Sequence, residues 1–140
     1  MSYGIKIVTA SRVTDETKDR LIGFSMTEYQ QVKDDITVGT RMLLYETDTP
    51  KPGSTKKGEQ VIFSEVEVVK EFAQAETPEP KSKSPMMQVR VRILRPRSTV
   101  QAIPLTSIRK LLRDENFPAA GGTWIPLEEK RYNIFLMMWS

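Results

Sequence analysis

The spacing of apolar positions changes several times along the chain, and each change predicts a different element. Ile5-Lys6-Ile7-Val8-Thr9-Ala10 is short and β-branched, which predicts a first strand ending in the polar corner Ser11-Arg12. Thr14 and Asp15 are good N-cap residues, and Leu21, Ile22, Met26, Tyr29 and Val32 then recur at helical spacing, broken by Gly23. Two short helices are expected, the second near 27–33. Val38-Gly39-Thr40 reads as a turn into Arg41-Met42-Leu43-Leu44-Tyr45-Glu46, an apolar run suited to a buried strand. The stretch 47–58, rich in Pro, Gly, Lys and Thr, reads as a loop.

Residues 59–72 alternate most clearly, with Ile62, Ser64, Val66 and Val68 expected on one face and Phe63, Glu65, Glu67 and Val69 on the other. A second long strand at 87–95, antiparallel to it, should turn Val89, Val91 and Ile93 inward. The Pro-, Glu-, Lys- and Ser-rich stretch between them predicts a mobile hairpin connection at about 73–86. A helix is expected at 104–113, with Pro104 in its first turn and Ile108, Leu111 and Leu112 as its apolar stripe. Pro118 and Gly121-Gly122 should then open a loop carrying Trp124. A further helical turn at 126–129 would fit, and 132–139 fits either a closing strand or a last helix, because its period does not separate the two.

Composition narrows the chemistry. The 140 residues, 39% of them hydrophobic, are enough for one core, so a single domain over 1–140 is expected. Histidine and cysteine are both absent, which excludes thiol nucleophiles, histidine bases, disulfides and zinc sites built from those ligands. No cofactor or metal is expected. The 21 Lys+Arg against 18 Asp+Glu leave a formal charge of +3, a weak hint of a polyanionic partner. No apolar run approaches the roughly 20 residues of a membrane span, and the opening residues do not resemble a signal peptide, so the cytoplasm is the expected compartment.

The order of elements resembles the PUA-like superfamily, in particular its EVE and YTH-like branch. The likeness rests on Val8-Thr9-Ala10-Ser11-Arg12, on Val38-Gly39-Thr40-Arg41 leading to Leu44-Tyr45-Glu46, and on Gly121-Gly122-Thr123-Trp124-Ile125-Pro126-Leu127. It implies an α+β fold, a partly open mixed β-barrel whose ends are covered by short helices, with a pocket for a base or nucleotide, often a modified base flipped from its strand. Carried over residue by residue, the pocket would be lined by Thr9, Ser11, Arg12, Tyr45 and Trp124. The dense pair of tryptophans near the first strand that would signal a methyl-base cage is lacking in this sequence.

Each candidate has a plainer role beside the functional one. Trp124 could stack on a base, a contact worth about 1–3 kcal/mol, or simply cover the barrel end. Tyr45 could place its hydroxyl at a pocket mouth or bury its ring in the core. Ser11 and Arg12 could hold a base edge or a phosphate, or form a capped turn. Arg90 and Arg92 are expected to pair across strands with Glu65 and Glu67. Arg95 and Arg97, which flank Pro96 and have no evident acidic partner in the sequence, are the better phosphate candidates, followed by the loop lysines Lys56 and Lys57.

Several features carry no site. Gly53-Ser54-Thr55-Lys56-Lys57-Gly58 has the wrong order of glycine and lysine for a phosphate loop, and Asp34-Asp35 and Glu128-Glu129 suit helix ends better than a metal. The run Phe135-Leu136-Met137-Met138-Trp139 suits the core, with a homodimer contact through Phe135, Met138 and Trp139 as the alternative. The expected function is therefore a non-catalytic module that binds RNA or DNA, single-stranded or with a flipped base. The alternatives are an enzyme or small-ligand-binding protein using the same pocket, and a specificity or assembly domain of a larger complex.

Overall fold

Alternation of buried side chains decides most of this architecture. The structure, a computed structural model, describes residues 1–9, 20–50, 53, 55–74, 86–118 and 123–139. Its strands are β1 (Tyr3–Val8), β2 (Arg20–Ser25), β3 (Arg41–Glu46), β4 (Val61–Gln74), β5 (Met86–Arg95), β6 (Ile103–Pro104) and β7 (Trp124–Leu127). Three helices accompany them: α1 (Met26–Val32), α2 (Leu105–Leu112) and α3 (Glu129–Met137). One mixed sheet runs in the order β2-β5-β4-β3-β1-β7, with β6 added to β4. β1 and β3 are parallel, joined through β2 and α1, and the other pairs are antiparallel. The sheet curls into a partly open barrel.

The apolar run of β3 shows how the two sides of the sheet are filled. Met42 and Leu44 join the inner cluster with Phe24, Val66, Val68, Val89, Val91 and Trp124, closed by Val32 and Ile36 at the end of α1. Leu43 and Tyr45 point the other way, into a cluster with Ile5, Ile7, Ile108, Phe117, Tyr132 and Phe135 under α2 and α3. A strand covered on both faces has no polar side to display, hence its unbroken apolar sequence. Gly39, at φ +96°, makes the turn into it, and there a side chain would be strained.

Several expectations are corrected. Residues 20–25 form a strand rather than a helix: Ile22 and Phe24 are buried, while Leu21 before them is 49% exposed and Ser25 after them is exposed, a period of two. The helical spacing there straddled a strand-to-helix junction. Whether Thr14 and Asp15 cap a helix lies outside the described residues.

In β4 a bulge pairs Leu44 with Ser64 but Tyr45 with Ile62, leaving Phe63 as the extra residue. Ile62 therefore joins the outer cluster, while Phe63, Val66 and Val68 join the inner one, so they do not share a face throughout. The two long strands are antiparallel as expected. They extend to Gln74 and from Met86, which takes both ends of the expected connection into the sheet; 75–85 lies outside the described residues. Trp124 begins strand β7 instead of riding on a loop, residues up to Leu127 are strand rather than helical turn, and the closing segment is helix α3.

Candidate functional site

Four elements meet around a cleft of about 540 Å³: the end of β1, strand β2, the start of α1, and Thr123 just before β7. That volume is within the usual range for small-molecule sites. Its apolar lining includes Val8, Leu21, Ile22 and Met86, and its polar lining Lys6, Thr9, Arg20, Ser25, Thr27, Glu28, Gln31 and Thr123.

The floor is a closed polar network. On β1, Ile5 and Ile7 face the outer cluster, so the alternate position Lys6 is driven into the barrel interior. Ser25 caps α1, its Oγ accepting from the Glu28 backbone N–H at 3.2 Å. Ser25-Met26-Thr27-Glu28 thus has the spacing of a capping box, but the Glu28 carboxylate reaches across to other elements. Its Oε1 accepts from Lys6 Nζ at 3.2 Å and from the Thr123 hydroxyl, and its Oε2 accepts from the Thr123 backbone N–H at 2.5 Å. Lys6 also donates to Thr123 Oγ1, and its ammonium lies 3.9 Å from the centroid of the Phe24 ring.

Burial sets the electrostatics of this floor. It drives the Lys6 amine down to about 8, with Glu28 pulling in the opposite direction. Burial alone would raise the Glu28 carboxyl, but the hydrogen bonds from Thr123 and the charge of Lys6 hold it below its ordinary value. Arg20 lines the cleft and also the neighbouring hollow that contains Arg97. Burial lowers its guanidinium pKa, the charge of Arg97 adds to this, and Glu46 opposes it.

No family model matches the sequence, and no curated protein does. Solved structures do match. Protein Atu2648 from Agrobacterium tumefaciens superposes with a TM-score of 0.63 over 100% of this chain and 94% of its own, at 14% identity. The Mmi1 YTH domain in complex with RNA gives 0.59 over 98% and 77%, at 8% identity. The DUF55 domain of human thymocyte nuclear protein 1 gives 0.55 over 86% and 80%, at 16% identity. The fold is PUA-like. At these identities the likeness is one of architecture.

Within the PUA-like barrel the residues picked out from the sequence are scattered. Thr9 is exposed and lines the cleft. Ser11 and Arg12 lie outside the described residues. Trp124 adjoins the cleft through its neighbour Thr123, but its indole lies in the inner cluster against Gly4, where an added Cβ would fall 2.4 Å from the ring. Tyr45 is buried in the outer cluster, edge-on to Phe117 at 5.0 Å. Burial raises its pKa. Neither the Tyr45 hydroxyl nor Trp124 Nε1 has a hydrogen-bond partner among the described residues.

The expectation that Arg95 and Arg97 lack acidic partners is overturned. Arg95 Nε donates to Glu65 at 3.1 Å, opposite it across the strands, and Arg97 contacts Glu46 at 2.7 Å and Glu59 at 3.7 Å. Arg97 also stacks over Phe63 at 4.2 Å. The bulged register pairs Glu67 with Arg92 as expected, at 3.3 Å, but sets Arg90 opposite Lys70 and not Glu65.

Lys56 and Lys57 are exposed in the loop before β4. Phe135 is wholly buried in the outer cluster, so it is unavailable to a second copy, whereas Met138 is exposed. Trp139 packs on the outer cluster, 5.8 Å from the Arg95 guanidinium. Among the described residues no group of three or more acidic side chains could hold a metal ion, and no helix is long and apolar enough to cross a membrane.

Sequence reasoning missed Lys6, Arg20, Glu28 and Thr123. Two signals were available: a single lysine inside the β-branched run Ile5-Lys6-Ile7-Val8, and the Ser25-x-x-Glu28 spacing that fixes a helix start. Their meeting with Thr123 had no local signal.

Proposed function

We propose that this chain is a nucleic-acid-binding module that takes up a base of single-stranded RNA in the cleft between β1, β2 and α1. The cleft itself carries this reading: apolar walls suited to a flat ring, a hydrogen-bonding floor, and the cation of Arg20 on one side. The Mmi1 YTH domain, whose architecture this chain shares, is a complex with RNA, which supports the same class of partner. Thr9, with Ser11 and Arg12 that follow it in sequence, remain our candidates for contacts to the base and its phosphate. Lys56 and Lys57 are candidates for the flanking backbone.

The reading is one of binding without catalysis. A lysine with a lowered pKa in a cleft is a common mark of an enzyme. Here, however, the Lys6 ammonium is already directed at Glu28, Thr123 and the Phe24 ring, which leaves it no free donor to act on a substrate. Fluorescence anisotropy of labelled single-stranded RNA against the full chain tests the reading. Affinity should fall linearly in log-log form as salt rises, with a slope reporting the phosphates neutralised. Absence of binding at low salt would overturn it.

A further inference from the structure

On the outward face of the β4–β5 ladder, every arginine of β5 but one has an acid opposite it. Val89 and Val91 point into the inner cluster, so Arg90 and Arg92 point outward. Arg92 stands opposite Glu67 and pairs with it at 3.3 Å, and Arg95 stands opposite Glu65 and pairs with it at 3.1 Å. Arg90 instead stands opposite Lys70. Like charges facing each other across two strands destabilise a sheet. Among the described residues, neither Arg90 nor the exposed Lys70 enters an ion pair or a hydrogen bond.

The exception lies beside the cleft. On its other side β5 pairs with β2, where Arg90 stands opposite Leu21. Ile22 and Phe24 are buried in the inner cluster, so Leu21 points outward; it is exposed and also lines the cleft, which puts it at the rim. Leu21, Arg90 and Lys70 thus form one row across three neighbouring strands, each strand about 5 Å from the next. A chain leaving the cleft over the edge strand β2 meets an apolar step and then two cations in succession. We infer that this row carries the sugar-phosphate backbone of the bound single-stranded RNA out of the cleft, with Arg90 and Lys70 each facing a phosphate. A polyanion laid there relieves the repulsion that the register creates, and that charge complementarity selects it over an apolar partner. The inference rests on the base-binding reading above and adds the course of the strand beyond the base.

The test compares the salt dependence of binding to a labelled single-stranded RNA of mixed sequence, read by anisotropy, for the natural chain and two double variants of equal charge. Lys70→Gln with Arg90→Gln removes the row. Lys110→Gln with Arg113→Gln removes two cations at the end of α2, which follows β6 at the opposite end of β4. Thermal melting checks that each variant folds. In log-log form the slope of the first should be shallower by about 1.4, at about 0.7 per phosphate on a single strand, while the α2 variant keeps the natural slope. An unchanged slope in the first variant, or an equal loss in both, overturns the inferred course and leaves the base-binding module standing. No binding by the natural chain at low salt overturns both. Should the first variant fail to fold, Lys70→Gln alone decides: a loss of about 0.7 in slope is expected, and no loss overturns the inference.

Discussion

Glu65 on the outer face of the sheet and Glu28 on the inner face are both carboxylates held inside the protein, yet they are finished differently. Glu65 is sealed: its Oε2 accepts from the Tyr132 hydroxyl of α3 at 2.5 Å, its Oε1 from Arg95 at 3.1 Å, and the Arg95 guanidinium lies over Trp139. The carboxylate neighbour and burial both raise the Tyr132 pKa, burial the more strongly. Glu28 has as many protein partners but opens onto the cleft. A buried ion pair is weak evidence for stability, since desolvation consumes much of the Coulombic gain. The sealed pair pins a helix to the sheet in return, whereas the open one keeps an oriented charge facing a cavity. The proposed binding site rests on that opening.

The comparison can be broken or sharpened by experiment. Trp124→Ala should have the largest effect, a loss of about 3–5 kcal/mol in chemical denaturation, because the indole fills the inner cluster beside the cleft network. Retained stability with weakened RNA binding would instead make the ring a ligand contact.

Lys6 supplies the next effect. Folding lowers its pKa from 10.5 to about 8, so between those values the unfolded chain holds more protons than the folded one. Stability from this group is therefore expected to rise with pH across that window, on the order of 3 kcal/mol in all. Subtracting denaturation curves of Lys6→Met from those of the natural chain isolates the term, and a flat difference from pH 8 to 10.5 would show that the ammonium is not desolvated.

Tyr132→Phe should have the smallest effect of the three. It removes one hydrogen bond to a charged group that keeps Arg95 as a second partner, at a cost of about 1.5–3 kcal/mol. RNA affinity should not change, because α3 lies on the other side of the sheet from the cleft. A drop in affinity of the folded variant would mean that the two faces are coupled.

Much of the fold was legible because it rests on local periodicity. The two-face burial of β3, the alternation of Val89 and Val91 in β5 and the stripe of α2 each follow from neighbours a few residues apart. The errors fell where one period gave way to another. At 20–32 a strand runs directly into a helix, and a mixed window there looks helical. At Phe63 a bulge reverses the alternation, and no residue type announces it. The same shifts in register decided that Glu65 meets Arg95 rather than Arg90.

The candidate site was less legible than the fold. Thr9, Tyr45 and Trp124 all came from the family resemblance; Thr9 lines the cleft, whereas Tyr45 and Trp124 are buried in the two clusters. By itself the sequence determined the absence of histidine and thiol chemistry, the long β4–β5 pair and the apolar faces that must be covered. Only the tertiary structure decided which charges meet. Lys6, Glu28 and Thr123 are separated by 22 and 95 residues along the chain, and they come together because β1 pairs with β7 while the Glu28 side chain of α1 reaches both Lys6 and Thr123. Pairing between distant segments sets such contacts, and local spacing carries no trace of it.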